Sequence, residues 1–238
     1  VGFFGINQKP TSSKDPYALK RLALGVVRII IENNKEIKLK DLINYSFGLY
    51  KDQGFDLSNE LFPKDLNQFL LSRLKFYMKE KKFRHDIIEA SISSSGIDQL
   101  VSIYRKANSL NKIINKPLGA DIVLSYKRAS NILENELKNQ NIELANTTDP
   151  GIFKSVHEKN LLNKISELRK YFTNINKDED YDQSLKNLAL SKTVIYEFFD
   201  NVKVNEEDQN IKKNRLELIQ MLCKTFDKYV KFSIIEGS

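Results

Sequence analysis

Apolar residues recur at spacings of three and four along almost the whole chain, which is the period of an amphipathic helix. Sustained alternation of apolar and polar residues, which would indicate strands, is hard to find. The pattern therefore predicts an all-α protein, a helical bundle. Its helices are predicted at residues 16–33, 39–53, 63–80, 84–94, 97–115, 121–140, 154–173, 182–200 and 208–235.

The first predicted helix follows a polar loop. Asp15 is a suitable N-cap, and Pro16 suits the first helical position because its missing N–H would have no partner there. One stripe of this helix has the spacing of a core-facing side. It consists of Leu19, Leu22, Ala23, Val26 and Ile30.

Cations crowd around the start of the same helix. Arg21, Gly25 and Arg28 share a second face, and Lys14 and Lys20 lie close by in the chain. Two interpretations are open for this face. Gly25 could mark a close helix crossing among solvated arginines, or the arginines could bind phosphate.

Two domains are predicted from the loop-forming and turn-forming stretches of the chain. The stretch SISSSG at 91–96 reads as a linker between residues 1–92 and 97–238. Within the second domain, Pro117 and Gly119 are expected to separate two helices, and NTTDPG at 146–151 is expected to form a turn.

The formal net charge is +7, and the basic excess lies mainly in the first part of the chain. Residues 1–96 carry +5, whereas residues 97–238 carry +2. A sequence pI of about 9.2 is compatible with nucleic-acid binding. The abundance of Lys, Asn and Ile can also come from codon usage, so charge alone does not decide the function.

Several protein classes are excluded by composition. No apolar run approaches the roughly 20 residues of a membrane span, so we expect a cytoplasmic protein. The single cysteine, Cys223, excludes an internal disulfide framework and is expected to be an inert core thiol. Because the first residue is Val1, we expect the chain to be part of a longer polypeptide.

Catalytic motifs are sparse. His85 and Asp86 are adjacent, as in metal-dependent phosphohydrolases, but such a site needs further histidines and His157 is the only other one. No phosphate-binding glycine loop and no nucleophile with a matching base stand out. We therefore expect neither a metal site nor a catalytic residue in this chain.

Three stretches have the character of recognition surfaces. On the helix at 121–140, Ile122, Tyr126, Ala129 and Leu133 form a core stripe, while Lys127, Arg128 and Asn131 project elsewhere. Cations and an amide beside an aromatic ring suit an unpaired base and its phosphates, although solvated cations beside a core tyrosine are the simpler interpretation.

On the last predicted helix, one stripe of residues is expected to pack inward. A set of cations is expected to line the outer face, where the cations could follow a nucleic-acid backbone. The inward stripe is Ile219, Leu222, Phe226, Val230 and Ser233, and the outer cations are Lys212, Lys213, Arg215, Lys224, Lys228 and Lys231. A third basic cluster, at 75–84, lies near a helix end, where cations also offset the helix dipole.

Five stretches in order carry a family resemblance across essentially the whole chain. They are KPTSSKDPYALKRLALGVVRIIIEN, FLLSRLKFYMKEKKFRHDIIEA, SYKRASNIL, FFDNVKVN and NRLELIQML. Together they resemble the C-terminal third of the β subunit of bacterial heterotetrameric glycyl-tRNA synthetase.

The resemblance implies a function. Residues 1–92 would be the end of a degenerate HD-like helical domain without metal ligands, and residues 97–238 a DALR-type anticodon-binding domain. The catalytic α subunit would attach glycine with ATP and magnesium, leaving this part non-catalytic and free of cofactors. Its partners would be tRNA(Gly), the α subunit and the rest of the β subunit in an α2β2 enzyme, although the chain alone could be a monomer.

Glycine tRNAs would then be distinguished at anticodon cytosines. The residues predicted to bind tRNA are Lys14, Lys20, Arg21, Arg28, Tyr126, Lys127, Arg128, Asn131, Lys212, Lys213, Arg215, Lys224 and Lys228. Two alternatives are a helical scaffold for subunit contacts and an HD-type metal phosphohydrolase, against which the histidine count argues.

Overall fold

The computed structural model describes residues 1–11, 13–57, 62–96, 99–139, 143–174 and 180–236. Over these ranges the chain forms helices and turns without any strand, which confirms the all-α prediction. The helices are α1 Gly2–Gly5, α2 Leu19–Glu32, α3 Leu39–Asp52, α4 Phe62–Glu80, α5 His85–Ser94, α6 Leu100–Ile113, α7 Pro117–Asn139, α8 Val156–Asn174, α9 Tyr181–Ala189, α10 Lys192–Asn201 and α11 Gln209–Phe226. Two 3₁₀ turns lie at Pro150–Ile152 and Phe232–Ile234.

The chain divides into two compact units, Val1–Ala107 and Asn108–Ser238. The division falls inside α6, whereas the serine-rich stretch predicted as a linker belongs largely to α5, which continues to Ser94. Ser91 in that stretch is fully buried. Residues 97 and 140, predicted as helix ends, lie outside the described residues.

In the first unit, α4 is the central helix and packs against α1, α2, α3 and α5. Its apolar residues are buried at helical spacing, as a core helix requires. The buried side chains of α4 are Phe62, Leu66, Leu70, Leu71, Leu74, Tyr77 and Met78.

The start of α2 differs from the prediction. Pro16 and Tyr17 form a turn, and Ala18 adopts a left-handed conformation at φ +53°, so the helix begins at Leu19. Asp15 still caps it, because its carboxylate accepts hydrogen bonds from the backbone N–H groups of Leu19 at 2.8 Å and Lys20 at 3.0 Å.

The buried face of α2 also differs from the predicted stripe. The buried residues are Ala23, Val27, Ile30 and Ile31. Leu22 and Val26, expected in the core, are 60% and 39% exposed. The helix therefore has more apolar surface than the described part of the first unit covers.

The second unit is built around α7, a long helix that packs against α9, α10 and α11, while α8 packs against α10 and α11. Pro117 opens α7, which suits a residue without an N–H. Gly119 lies in the first turn of α7. A glycine is needed there, because a Cβ would come within 2.3 Å of the Ile113 carbonyl oxygen. The predicted core residues Ile122, Tyr126 and Ala129 are buried.

Two predicted helices of this unit are shorter than expected. The segment 182–200 is interrupted at Leu190 and Ser191, where the Ser191 N–H bonds the Leu188 carbonyl, three residues back, instead of a carbonyl four residues back. The last helix ends at Phe226, because the chain then turns inward. Tyr229, Val230 and Phe232 are buried after that turn.

Cys223 is 6% exposed, as expected for a core thiol, and burial raises its pKa to about 12. A neutral thiol is a poor nucleophile, since the thiolate is the reactive form. We expect iodoacetamide at pH 8 to label the native chain slower than the urea-unfolded chain by about two to three orders of magnitude. Mass spectrometry of timed samples measures both rates, and fast labelling of the folded protein would contradict a buried thiol.

Candidate nucleic-acid interface

The cations predicted around α2 lie in the first unit and differ in accessibility. Lys14 and Arg21 are exposed, and Lys20 is half-buried. Arg28 is exposed and pairs with Glu80 at 3.2 Å. Such exposed ion pairs are worth at most about 1 kcal/mol, so Arg28 can exchange its partner for a phosphate at little cost.

Gly25 does not mark a helix crossing within the described part of the first unit. A Cβ added there would meet nothing within 4 Å. The interpretation of Gly25 as a close helix crossing is therefore not realised within the described part of this unit. Arg21 and Arg28 flank an open helical surface.

The His85–Asp86 pair does not form a convergent metal site. The His85 ring is 69% exposed, whereas the Asp86 carboxylate is buried and accepts from Arg84 Nε at 3.1 Å and Nη2 at 2.6 Å. Across the described residues, no group of three or more metal-ligating side chains converges. His157 lies in the other unit, at the start of α8.

In the second unit, Arg128 lies within a cluster of cations and aromatic rings. Its guanidinium carbon is 5.0 Å from the ring centroid of Tyr196 and 5.1 Å from that of Phe199. Its Nη2 pairs with Asp200 at 2.6 Å. Lys192 contacts the same Tyr196 ring at 5.7 Å. We call Arg128, Lys192, Tyr196, Phe199 and Asp200 the cation–aromatic cluster.

The cation–aromatic cluster is partly open to solvent. The side chains of Arg128 and Lys192 are 33% and 41% exposed, and both rings are half-buried. The Lys192 amine donates to the Asp121 carboxylate at 2.7 Å, and this hydrogen bond raises the pKa of the amine. The cluster thus places two partly exposed cations over two half-buried rings, a combination that suits unpaired bases.

The neighbours of Arg128 on α7 have different environments. Lys127 is half-buried and Asn131 is exposed, so both can reach solvent. Tyr126 is 5% exposed, and its ring lies among core aromatics, 5.7 Å from Phe232. Burial raises the pKa of its hydroxyl. As a platform for a base this ring is inaccessible in the structure, because the core covers it.

Two cations of α11 predicted on an outer face are buried instead, which corrects that expectation. Lys212 is 3% exposed and pairs with Glu136 at 2.7 Å. Arg215 is 5% exposed, and its Nε donates to Glu158 at 2.9 Å. Buried charges need such partners, so both cations stabilise the fold and neither is available to a phosphate.

Arg215 makes further bonds from the same guanidinium. Its Nη1 donates to the Lys203 carbonyl at 2.7 Å and to Glu206 at 3.0 Å. Glu158 in turn accepts from the N–H groups of Lys154 and Ser155, at 2.8 and 2.7 Å. Ser155 and Glu158 form a capping box at the start of α8, a spacing that the sequence displays.

Lys213 is exposed and lines a cleft of about 460 Å³ between α11 and the loop 145–152. Asn214 fixes that loop, because its Oδ1 accepts from Thr148 Oγ1 and from the Asp149 N–H, both at 2.7 Å. One wall of the cleft is thus held to α11 by hydrogen bonds, and Lys213 and Asn210 are among the residues that line it.

The remaining predicted cations of this region are exposed. Lys224 donates to Gln220 at 2.9 Å and to Asn146 of the same loop. Lys228 lies in the turn after α11, so Lys224, Lys228 and Lys231 do not form one continuous helical face. The helix ends too early for the predicted spacing to apply.

The sequence analysis did not identify Lys192, Tyr196 and Phe199 as site residues, and it predicted the turn at 146–151 without a role in the site. The three side chains follow one another at i, i+4 and i+7 on α10, so their shared face was readable from spacing. Their proximity to Arg128 was not readable, because it depends on how α10 packs against α7.

Two family models match successive parts of the chain. Residues 1–93 match the family model described as glycyl-tRNA synthetase beta subunit, and residues 122–232 match the model described as DALR anticodon binding domain. The second match contains the cation–aromatic cluster and all the residues that line the cleft.

Curated relatives align over nearly the whole chain. It is 38% identical to the glycine–tRNA ligase beta subunit of Rickettsia canadensis over 233 residues, and 39% identical to that of Rickettsia bellii over 235 residues. Both alignments cover 98% of this chain but only 33% and 32% of the relatives, so the chain spans about a third of their length. The chain belongs to the family of glycyl-tRNA synthetase β subunits and corresponds to their C-terminal part.

Proposed function

We propose that this chain is the tRNA-binding portion of a glycine–tRNA ligase and recognises the anticodon of tRNA(Gly). The observation that carries the proposal is the coincidence of the anticodon-binding match at 122–232 with accessible cations beside aromatic rings. In the assembled α2β2 enzyme, the α subunit would attach glycine with ATP and magnesium in the cytoplasm. This chain would hold the tRNA and need no cofactor of its own.

The cation–aromatic cluster can bind a single-stranded anticodon loop by exchange of partners. A phosphate can replace the Asp200 carboxylate on Arg128, because the existing pair is exposed and weak. An unpaired base can stack on the Tyr196 or Phe199 ring beside it, which is worth about 1–3 kcal/mol per base.

The cleft beside Lys213 offers groups that can read a base edge. Cytosine presents an amino donor at N4 and acceptors at O2 and N3. The Asp149 carboxylate can accept from the amino group, while the Lys213 amine and the Asn210 amide can donate to the acceptors. We propose this cleft as the second contact with the anticodon arm.

Anticodon binding would contribute to catalysis by positioning. A tRNA held at its anticodon arm presents its acceptor end to the α subunit in a defined orientation, which lowers the entropic cost of the reaction. The cations of the first unit, Lys14, Lys20, Arg21 and Arg28, would contact phosphates elsewhere on the same tRNA. These backbone contacts fix position without reading sequence.

The decisive experiment is a binding titration of this chain at two salt concentrations. One RNA is the native tRNA(Gly) transcript, and the other has its anticodon cytosines replaced. Tighter binding of the native transcript supports anticodon reading. Equal, strongly salt-dependent binding would mean that the chain contacts only the backbone. Absence of salt-sensitive binding would favour the scaffold alternative.

Within this proposal, we expect Arg128→Ala and Lys213→Ala each to weaken tRNA binding by roughly 5- to 100-fold, as losses of about 1–3 kcal/mol imply. Circular dichroism should show an unchanged helical fold, since both cations are accessible. Lys159→Ala, an exposed lysine on α8 outside the proposed interface, is the matched control and should bind normally.

Asp200→Asn separates a direct role of Arg128 from a structural one. It breaks the same ion pair while keeping the cation, so binding should be equal to or tighter than that of the native chain. Unchanged affinity in both Arg128→Ala and Lys213→Ala would overturn this assignment of the interface.

A further inference from the structure

Exposed apolar side chains are distributed unevenly between the two units. Of the 16 large apolar residues that are exposed in the described part of the chain, 13 lie in the first unit. Scattered exposed apolar residues are normal, but a concentration in one unit indicates a surface that has a partner. The second unit, with three such residues, covers its own core.

On α2 the exposed apolar residues fall on one seam. Leu22, Val26 and Ile29 are 60%, 39% and 63% exposed, and Gly25 lies among them at i+3 from Leu22. The spacing i, i+3, i+4, i+7 is that of a face packed against another helix. Open space around Gly25 allows a partner backbone to approach closely.

On α3 a second seam has the same spacing. Leu42, Tyr45 and Leu49 are 38%, 68% and 45% exposed, with the small residue Ser46 between them. Only Leu39 and Ile43 of this helix are buried. A 14-residue helix with two buried residues gains little from packing, so most of its apolar surface still lacks a partner.

We propose that the α2 and α3 seams pack against the part of the β-subunit polypeptide that lies outside this chain. The relatives are about three times as long as the segment they share with it, so a large part of the same polypeptide is available. Uncharged, continuous seams are typical of permanent contacts, whereas transient surfaces are more polar. The inference rests on family membership and does not depend on tRNA binding.

The surface that contacts the α2 seam is expected to be apolar and helical. It is a helical ridge with apolar side chains that fit into the open space around Gly25. A second copy of this chain and the catalytic subunit are the competing occupants. An experiment on the full-length β subunit distinguishes all three.

Hydroxyl-radical footprinting compares this chain with the full-length β subunit. We expect oxidation of Leu22, Ile29 and Tyr45 to fall at least threefold in the β subunit alone. Leu124 and Leu190, exposed in the second unit, are internal controls and should be labelled equally. Protection that appears only after addition of the catalytic subunit, or that grows with concentration of this chain alone, would overturn the proposal.

A variant adds an independent readout. Leu22→Asp combined with Ile29→Asp should lower the melting temperature of the full-length β subunit by several degrees. The melting temperature of this chain alone should change much less, because both side chains are already mostly exposed in it. Equal melting temperatures of native and variant β subunits would contradict a packed seam. Leu124→Asp is the control in both proteins.

Discussion

Replacement of Arg215 by alanine is expected to lower the free energy of unfolding by about 3–5 kcal/mol, the cost of removing one partner from a buried ion pair. The guanidinium bonds to the carboxylates of Glu158 and Glu206 and to the Lys203 carbonyl. Its loss leaves the fully buried Glu158 carboxylate without its cation. Urea unfolding followed by circular dichroism measures the change.

Two other variants make this prediction specific. Arg215→Lys keeps the charge but loses the planar fork of donors, so we expect a smaller yet clear loss of stability. Lys213→Ala, two residues away on the same helix, should change the free energy of unfolding by less than about 0.5 kcal/mol, as is usual for an exposed side chain. A loss below about 1 kcal/mol in Arg215→Ala would contradict the network described above.

The contrast between these neighbours shows where sequence reasoning stops. Lys212, Lys213 and Arg215 all read as surface cations near the start of one helix. Two of them are buried, because Glu136 and Glu158 reach them from other helices. Helical spacing identifies which residues share a face, but it does not reveal which distant acids that face meets.

The helices themselves were largely predictable, since their apolar period is regular. Their ends were less so. Ala18 delays the start of α2 through a left-handed backbone, and a turn at Leu190 and Ser191 divides one predicted helix. Both effects come from local backbone conformations that the apolar period does not specify.

The predicted core stripe of α2 was correct for Ala23 and Ile30 but wrong for Leu22 and Val26, which are exposed. Leu22 and Val26 fit a core spacing as well as Val27 and Ile31 do, and the apolar residues of this helix cover more than half of its circumference. Such a helix has two faces to bury. The sequence shows both, and only the packing against α4 shows which one is covered within this chain.

The second large effect is expected in the aromatic core of the second unit. Phe226→Ala should lower the free energy of unfolding by about 3–5 kcal/mol, because it leaves a cavity at the end of α11. The Phe226 ring is fully buried, with centroids of the Tyr126 and Phe232 rings at 6.1 and 5.8 Å. These contacts hold the inward turn after α11 against α7.

Phe199→Ala is the informative comparison, since Phe199 is a half-buried aromatic in the cation–aromatic cluster. We expect it to weaken tRNA binding more than it lowers stability, whereas Phe226→Ala lowers stability first. Urea unfolding and tRNA titration on the same two proteins separate the effects. If Phe226→Ala left stability within 1 kcal/mol of the native value, the aromatic core would not hold this unit together. Loss of stability in Phe226→Ala with loss of binding in Phe199→Ala would mean that one set of rings holds the helices and another meets the RNA.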